Sequence, residues 1–436
     1  MLFRTVFILS AILVMSDASA QCDIQSGPMT GASDLLEATV WVQTKCEQKV
    51  RMKYWETDDP KKSWLSEEVV TSSDHGYCAH LVADHVRPGT SYQYAILLDG
   101  NPARLPYPAT FRTQSLWQWR TDPQDFTFVA GSCTYVNEKI YDRPGKGYGD
   151  GYEIFTHINA ENPDLMIWLG DNTYLRESDW NTRTGIYHRY THTRSLPEMQ
   201  PLLASTHHYA IWDDHDYGPN DSERSFWNKD ITLDAFKDFW ANPNYGVGNT
   251  EGITGTFMWE DCQFFLMDDR WYRDYRLEKD YFGEKQMTWL LDALRFSQAS
   301  YKFICTGGQV ISDVADHENY AMFASERKSF FDSLDKYNIT GVVFLTGDHH
   351  HAEVSKMTTA DGDVFYDITA SPLTSTPSTH RGEPNHFHVP GSDFSVRNYA
   401  VLDISGPLSD RKCKLTFKDQ NGGVLYEGLI DNAKKQ

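Results

Sequence analysis

Long apolar runs are scarce in this chain. After residue 20 no stretch reaches the roughly 18 continuous apolar residues that a membrane-spanning helix needs. Basic clusters are scarce too: none is larger than Lys61-Lys62, and the formal charge is −21. An acidic surface without a basic patch repels phosphate backbones and anionic lipids. We therefore expect no nucleic-acid docking surface and no membrane span, and expect the acids to serve solubility and cation sites.

The chain also lacks a G-x-S-x-G segment, an internal repeat and a low-complexity tract. G-x-S-x-G marks the strained turn that presents a nucleophilic serine in many hydrolases. The sequence therefore gives no sign of a nucleophilic serine presented in that way. With 436 residues, the chain is long enough for two domains, or for one large domain with an appendage.

Residues 1–20 have the pattern of a secretory signal peptide. An apolar run from Val6 to Met15 is followed by Ala18-Ser19-Ala20, an A-x-A cleavage pattern. The run is too short to span a bilayer. Gln21, rather than a small residue, precedes Cys22, which argues against a lipoprotein. We expect a mature, soluble protein that is secreted or periplasmic.

Seven cysteines in an exported chain suggest disulfides with one thiol left over. Cys46 and Cys78 are candidates to join within the first hundred residues. Cys262 and Cys305 lie in strand-like runs that are candidates for neighbours. The remaining pairing would join the two chain ends through Cys22 and Cys413, and would leave Cys133 over.

From residue 21 to about 115, short runs alternate between apolar and polar residues, for example ATVWVQT, KVRMKYW and SYQYAILLD. Gly and Pro separate the runs. Period-two alternation at this spacing predicts a small antiparallel β-sandwich of the fibronectin III or immunoglobulin kind. Such a domain serves packing more often than chemistry, with carbohydrate binding as the alternative.

From about residue 120 to the end, apolar strands alternate with longer amphipathic segments, which predicts an α/β domain of helices layered on sheets. DGYEIFTHINAEN, TLDAFKDFWANP and MTWLLDALRFS are the predicted helices. The segment from Ser371 to Arg397 is expected to be a loop over a site. Six predicted strands end on polar residues, namely Cys133, Asp171, Asp214, Asp268, Gln309 and Asp348.

Ligand sites in α/β sheets form beyond the carboxyl ends of the strands, so these residues are expected to converge. Crowded carboxylates repel one another unless a cation neutralises them. Asp171 follows Gly170, which permits a sharp turn, and Tyr174 is close enough along the chain to reach the same centre, with packing as the alternative. Of His349 to His351, only one or two can reach one metal. Asp213 and Asp216 are expected to shape the loop around Asp214.

Five segments carry a resemblance to a known family: GSC at 131–133, GDNTY at 170–174, WDDHD at 212–216, MDDRWYR at 267–273 and TGDHHH at 346–351. In this order, after a fibronectin-like region, they resemble the alkaline phosphatase D (PhoD) family of calcineurin-like metallophosphoesterases. The resemblance implies a four-layer α/β/β/α sandwich over residues 120–436. It also implies an exported phosphoesterase that acts on small-molecule phosphate mono- or diesters, of alkaline phosphatase or phosphodiesterase type.

The resemblance further implies a metal centre. The positions that hold iron(III), Fe³⁺, are matched by Cys133, Asp171, Tyr174 and His350. Asp171 would bridge to a second site, where Asp214 and Asp348 match ligands of calcium, Ca²⁺. Trivalent iron is acidic enough to hold a thiolate and a phenolate near neutral pH, and Ca²⁺ accepts irregular carboxylate geometry.

Three further residues are implied to act on the substrate. His215 matches the histidine of an Asn-His-Glu motif, with aspartate in the Asn position. Arg270 and Arg273 match a D-x-R-x-x-R pattern that places one arginine near the phosphate. The chain departs from the family at Gly308-Gln309, where asparagine is frequent before the glutamine, and at His349, where a small apolar residue is frequent.

Two other functions remain open at this point. An iron-dependent oxidoreductase would use the same donors for oxygen chemistry. A non-catalytic phosphate- or glycan-binding protein would keep the fold without turnover. For an esterase, the loops at 217–225 and 371–388 decide between monoester and diester, with Tyr217 and Phe226 as candidates to stack on an organic group, or to pack.

Overall fold

The structure, a computed structural model, describes residues 22–277, 279–316, 318–378 and 384–431. The predicted signal peptide lies outside these ranges. None of the helices within them has the length and apolar character that a membrane crossing requires. The helices are α1 Ile154–Ala160, α2 Arg183–Arg194, α3 Gln200–Ser205, α4 Asp214–Tyr217, α5 Lys229–Phe239, α6 Glu284–Phe296 and α7 Ala324–Lys336.

The strands fall into an N-terminal and a C-terminal set. The first comprises β1 Ile24–Ser33, β2 Ala38–Thr44, β3 Lys49–Glu56, β4 Trp64–Leu65, β5 Val69–Val70, β6 Cys78–Ala83, β7 Ser91–Leu98, β8 Asn101–Pro102 and β9 Thr110–Arg112. The second comprises β10 Phe126–Gly131, β11 Leu165–Leu169, β12 His207–Ile211, β13 Gly255–Trp259, β14 Cys262–Leu266, β15 Tyr301–Cys305, β16 Val342–Thr346, β17 Glu353–Thr358, β18 Val364–Thr369, β19 Asn398–Ser405, β20 Lys412–Asp419 and β21 Val424–Ile430.

The N-terminal strands form two antiparallel sheets, β1-β2-β6 and β4-β3-β7-β8, with β5 on β3 and β9 on β7. Alternate residues of β7 point inward, as period-two strands require. Side chains of both sheets, such as Val40, Tyr54 and Ile96, share one core. The strands that the sequence predicts here are therefore confirmed.

The C-terminal strands form two six-stranded sheets, β12-β11-β10-β19-β20-β21 and β13-β14-β15-β16-β18-β17. The two sheets pack against each other, since the ring centroid of Phe128 on β10 lies 5.3 Å from that of Phe264 and 5.0 Å from that of Phe303. The next residues along β14 and β15, Phe265 and Ile304, belong to a different core. The second sheet therefore buries both of its faces.

Helices α6 and α7 cover that other face. Leu290 and Leu294 on α6 are one helical turn apart, as are Phe330 and Leu334 on α7, so each pair lies on one side of its helix. All four join the core that contains Phe265. The helices predicted by amphipathic pattern are confirmed as α1, α5 and α6.

The predicted disulfide pairings are wrong. The disulfide joins Cys22 to Cys46, and the other five cysteines are free and buried. Pairing of β1 with β2 sets Ile24 opposite Thr44, which brings the residues just outside both strands together. Cys262 and Cys305 do lie on neighbouring strands, but Cys262 pairs with Tyr301. Four residues of strand, about 13 Å, therefore separate the two cysteines.

Candidate metal centre

The ends of strands from both sheets meet at one place. β10, β11 and β12 are parallel neighbours, and β16 is a central strand of the facing sheet. Ligand atoms of Cys133, Asp171 and His350 lie within 4.8 Å of one another. The same limit holds for Asp171, Asp214 and His215, and for Asp213, Asp214 and Asp348. Asp171 and Asp214 therefore connect adjacent groups of donors.

Four of these donor residues have a left-handed backbone. The φ angles are +62° at Cys133, +52° at Asp171, +59° at Asp348 and +54° at His350. Non-glycine residues seldom adopt this conformation, and each such residue costs roughly 1–3 kcal/mol. Hydrogen bonds hold the turns: the amide of Cys133 donates to the Gly170 carbonyl (3.2 Å), and that of His350 donates to Ser371 Oγ (3.0 Å). Strain maintained in this way is typical of functional sites.

Two glycines allow the turns to come so close. A Cβ on Gly170, where φ is +88°, would lie 2.5 Å from the Cβ of Asp213. A Cβ on Gly347 would lie 2.5 Å from Ser132 Oγ. Each glycine directly precedes a candidate ligand. Because glycine has no side chain, the strand ends at the Gly-Asp pairs 170–171 and 347–348 can approach their neighbours this closely.

The first group of donors combines sulfur, oxygen and nitrogen. Cys133 Sγ lies 3.7 Å from Asp171 Oδ2, and Tyr174 Oη lies 3.1 Å from His350 Nε2. Burial, and then the charge of Asp348, raises the pKa of Cys133 to about 12. Burial and Asp171 raise the pKa of Tyr174 well above its usual value. Thiolate and phenolate form here only if a cation offsets these effects, and the donor set fits a hard, strongly charged ion.

His350 is prepared to act as a ligand through Nε2. Its Nδ1 donates to the carbonyl of Thr376 at 2.9 Å, so Nδ1 carries the proton and Nε2 keeps its lone pair. Burial lowers the pKa of His350 to about 4. The imidazole is therefore neutral near pH 7, which is the form that binds metals.

The second group of donors is made of carboxylates. Burial, and then the charge of Asp214, raises the pKa values of Asp171 and Asp348 well above the usual range. Asp214 Oδ2 accepts from the amide of Asp221 at 2.7 Å, whereas Asp214 Oδ1 is buried without a hydrogen-bond partner. A buried, unpaired carboxylate oxygen is costly. Oxygen donors of this kind fit Ca²⁺, and a cation there would satisfy Asp214.

Asp213 and Asp216 shape the loop around Asp214. They form a reciprocal cap at the first turn of α4. Asp216 also accepts from the amides of Asn172 (3.2 Å) and Thr173 (3.1 Å), and so ties this loop to the one that carries Asp171. Of the acids in this segment, Asp214 is therefore a candidate metal donor, whereas Asp213 and Asp216 hold the loop in place.

His215 lies at the surface of the cavity beside the first group. Its ring centroid is 4.3 Å from that of Tyr174, and its amide donates to Asp171 Oδ1 at 3.2 Å. The imidazole borders the cavity together with Asp171 and Asp214. It is therefore positioned to meet a ligand bound over both groups of donors.

The two arginines lie beneath the cavity and not on its wall. Arg270 and Arg273 are buried, and neither lines the cavity. Arg270 contacts Asp213 and reaches Glu318 at 3.0 Å, while Arg273 reaches Glu318 at 2.9 Å. Glu318 itself borders the cavity. Neither guanidinium therefore lies on the cavity wall, because ion pairs hold Arg270 to Asp213 and Glu318, and Arg273 to Glu318.

Asp268 and Gln309 lie beyond the ends of β14 and β15, which end at Leu266 and Cys305, and both take internal partners. Asp268 is fully buried and accepts from Trp212 Nε1 (2.9 Å). Gln309 borders the cavity, where its amide group donates to Glu353 (3.0 Å). Tyr217 and Phe226 are buried at 0% and 5% exposure, so both pack instead of facing a ligand.

The cavity has a volume of about 460 Å³. One wall consists of histidines and acids outside the metal-binding groups. Glu353 accepts from His351 Nε2 (3.3 Å) and His388 Nδ1 (3.1 Å), and lies in contact with Asn385 (2.9 Å). Burial opposes the charge of Glu353, but the hydrogen bond and positive charge of His351, with hydrogen bonds from Gln309 and Asn385, lower its pKa to about 2.

The cavity residues that sequence reasoning missed include Glu318, Glu353 and Tyr148. Glu318 lies outside all five motif segments. Tyr148 lies in GKGYGDG, residues 145–151, and the regular spacing of glycine in this segment is a signal that could have pointed to it. His349, where the chain departs from the family pattern, also borders the cavity.

Comparison with protein families gives two matches. The family described as PhoD-like phosphatase matches residues 128–398, which is more than half of the chain. A domain of unknown function matches residues 21–116. No curated protein matches the sequence.

Two solved structures are similar over most of the chain. A structure described as that of PhoD is 16% identical, with a TM-score of 0.73, and the match covers 94% of this chain and 93% of that one. The purple acid phosphatase PPD1 of yellow lupin (Lupinus luteus) is 10% identical, with a TM-score of 0.66, over 92% of this chain and 74% of that one. At such identities the likeness shows a common metallophosphoesterase fold.

Proposed function

Because this chain belongs to the PhoD-like phosphatase family and is a phosphoesterase, we propose that it hydrolyses phosphate mono- or diesters at a centre of two kinds of metal ion. The observation that carries this proposal is the meeting of buried donors from both sheets beneath one cavity. Buried thiol, phenol and carboxyl groups have no reason to converge unless a cation joins them.

We assign the donors to two ions. Cys133, Asp171, Tyr174 and His350 would hold Fe³⁺, because a thiolate and a phenolate suit a strongly acidic ion. Asp214 and Asp348, with Asp171 shared, would hold Ca²⁺, because their donors are oxygens. When bound, the ions supply positive charge for the phosphate and lower the pKa of a water that attacks phosphorus.

The remaining chemistry belongs to side chains of this chain. His215 would hydrogen-bond the oxygens of phosphate as charge builds, or give a proton to the departing alkoxide. Its place on the cavity wall next to Asp171 supports this role. Arg270 and Arg273 would act as positioning residues, since both hold Glu318 against the cavity.

We also propose the organisation of the whole protein. Residues 1–20 would be a signal peptide, residues 21–115 a fibronectin III-like sandwich, and residues 120–436 the catalytic domain with α/β/β/α layers. The N-terminal sheets enclose a core between them, which supports this division, although Trp41 joins the larger core of the C-terminal region. The Cys22–Cys46 disulfide supports export to the periplasm or outside the cell, since disulfides persist in oxidising compartments.

The test is metal analysis combined with turnover on the same preparation. We expect iron and calcium in the purified protein, a tyrosinate-to-iron absorption band that Tyr174→Phe removes, and hydrolysis of an aryl phosphate or a bis-aryl phosphate. Asp171→Asn should lower turnover by at least about 100-fold, because it removes the shared carboxylate. Asp332→Asn, an exposed change on α7, is the matched control.

Two results would contradict the proposal. A metal-loaded protein that hydrolyses neither ester would favour a non-catalytic binding protein. A protein without iron, whose Asp171→Asn variant keeps full turnover, would overturn the assignment of donors. The ratio of the two ester rates separates monoesterase from diesterase.

A further inference from the structure

We propose that Tyr148 contacts the organic group of the ester and gives the site a preference for planar, ring-bearing groups over small alkyl groups. This inference rests on the proposed function, because it names the class of substrate for the same cavity. It starts from a loop between β10 and α1 whose sequence, GKGYGDG, surrounds one tyrosine with glycines.

Hydrogen bonds fix the backbone of Tyr148 and of the next residue, Gly149. Asn137 Nδ2 donates to the carbonyl of Gly149 (2.6 Å), and the amide of Gly149 donates to Asn137 Oδ1 (3.0 Å). Thr376 Oγ1 donates to the carbonyl of Tyr148 itself (2.8 Å). Thr376 is also the residue whose carbonyl orients His350. The loop is therefore anchored to the segment that supports the metal centre.

The glycines allow this anchoring. A Cβ on Gly149 would lie 2.1 Å from the carbonyl oxygen of Tyr135, and a Cβ on Gly147 would lie 3.0 Å from Asn137 Nδ2. Real Cβ atoms do not approach backbone oxygen so closely, so a side chain at Gly149 would push the loop outward. The glycine spacing thus places Tyr148 at the cavity instead of leaving the loop free to vary.

The ring of Tyr148 is supported on one side and open on another. Its centroid lies 5.0 Å from that of Tyr135, with the rings edge to face, and 5.8 Å from that of His350. Nevertheless Tyr148 borders the cavity and remains 40% exposed. Aromatic rings held rigidly with a free surface are the usual means of binding planar groups.

A purely structural role does not account for this placement. His350 Nδ1 already donates to the Thr376 carbonyl, so the Tyr148 hydroxyl, 3.2 Å from Nδ1, is not required to set the tautomer of His350. Tyr174, the candidate ligand whose ring lies nearby, is by contrast buried at 4% exposure. The two aromatic residues expected to stack, Tyr217 and Phe226, are buried away from the cavity. In the described part of the chain, Tyr148 is the aromatic residue on the cavity wall.

The experiment compares binding of phenylphosphonate and methylphosphonate, which share the anionic group and cannot be hydrolysed as esters. Their inhibition constants are measured on the metal-loaded protein and on Tyr148→Ala and Tyr148→Phe. We expect Tyr148→Ala to raise the inhibition constant of phenylphosphonate by about 3- to 10-fold more than that of methylphosphonate. This difference is the size expected for one aromatic contact. Tyr148→Phe should retain the preference, because the ring remains.

Tyr141→Ala is the matched control. Tyr141 belongs to the same loop and is 38% exposed, but it packs on His188 (5.4 Å between ring centroids) and does not line the cavity. It should leave the ratio of the two inhibition constants unchanged. Iron content is measured for every variant, so that loss of metal is recognised separately.

Two outcomes would overturn the inference. If Tyr148→Ala weakens the binding of both phosphonates equally, the residue acts through His350 and not through contact with the organic group. If Tyr148→Phe loses the preference as well, the hydroxyl and not the ring is responsible. Both outcomes leave ester hydrolysis by the wild-type protein intact, whereas absence of hydrolysis by the wild type would reject the proposed function itself.

Discussion

At the scale of single residues, the candidate centre is a set of buried ionisable groups whose charged forms are unfavourable without a cation. Burial and neighbouring charge raise the pKa values of Asp171, Asp348 and Cys133, so these groups favour their protonated forms unless a cation is bound. Metal binding must release those protons. We therefore expect metal affinity to fall as the pH falls, since protons compete for the same donors.

His215 should matter more for poor leaving groups than for good ones. An alkoxide needs a proton as it departs, whereas p-nitrophenolate departs without one. We expect His215→Asn to lower kcat by about 10²- to 10⁴-fold for an alkyl ester and distinctly less for a p-nitrophenyl ester. The measurement is kcat for both esters on both proteins. Equal losses would assign His215 to phosphate binding and not to proton donation.

Glu353 should make the folded state sensitive to acid. Its pKa is lowered from 4.5 to about 2, so its contribution is complete above about pH 4.5 and is lost as the pH falls towards 2. A shift of this size is worth on the order of 3 kcal/mol. We expect Glu353→Gln to lower the free energy of unfolding at pH 6 and to reduce its decline between pH 4.5 and 3.

Urea unfolding at pH 6, 4.5 and 3 provides the measurement for Glu353. The control is Glu427→Gln, because Glu427 is an exposed residue that pairs with Lys414. Parallel pH profiles for wild type and Glu353→Gln would show that the His351 and His388 contacts do not stabilise the fold.

At the scale of elements, the site depends on strand ends that turn sharply. Gly170 and Gly347 precede Asp171 and Asp348, and both lie against atoms of an adjacent strand end. The strands place the candidate ligands near one another, and the turns orient their side chains. A change in one turn should therefore affect metal binding without touching a ligand.

Gly170→Ala tests this view. The residue has φ +88°, and its Cβ would meet Asp213 at 2.5 Å, so we expect a loss of roughly 2–4 kcal/mol in unfolding free energy together with lower iron content. Gly362→Ala is the matched control, because Gly362 has φ +89° but nothing within 4 Å. Thermal unfolding and metal analysis are measured for both. Equal effects of the two changes would mean that backbone strain alone, and not the close approach, is responsible.

At the scale of the whole molecule, the N-terminal sheets are joined to the rest through buried contacts. Trp41 of β2 is fully buried in the larger core, and its Nε1 donates to the Asp238 carbonyl at 2.8 Å. Gln114 Nε2 donates to the Met258 carbonyl, also at 2.8 Å. Buried interfaces of this kind couple domains to each other.

We therefore expect one cooperative unfolding transition in calorimetry. Removing the cations should leave that single transition but lower Tm by about 3–5 °C, because ligands that bind only the folded state stabilise it. Calorimetry with and without chelators is the measurement. Two resolved transitions, of which only one responds to chelators, would show that the N-terminal region unfolds independently.

The sequence by itself determined what is local. Period-two alternation located the strands, and amphipathic periodicity located α1, α5 and α6. Polar residues at strand ends indicated Cys133, Asp171, Asp214 and Asp348 as candidate donors, because ligand sites in α/β proteins form beyond the carboxyl ends of the strands. The family followed from short motifs whose order along the chain is a property of the sequence.

Only the tertiary structure decided how distant segments meet. The pairing of β1 with β2 placed Cys22 beside Cys46, and ion pairs with Asp213 and Glu318 held Arg270 and Arg273 beneath the cavity. Tyr148 reached the cavity through contacts with Tyr135 and Thr376, residues far apart in the chain. Burial and partner choice depend on packing among all segments at once, and no local pattern encodes them.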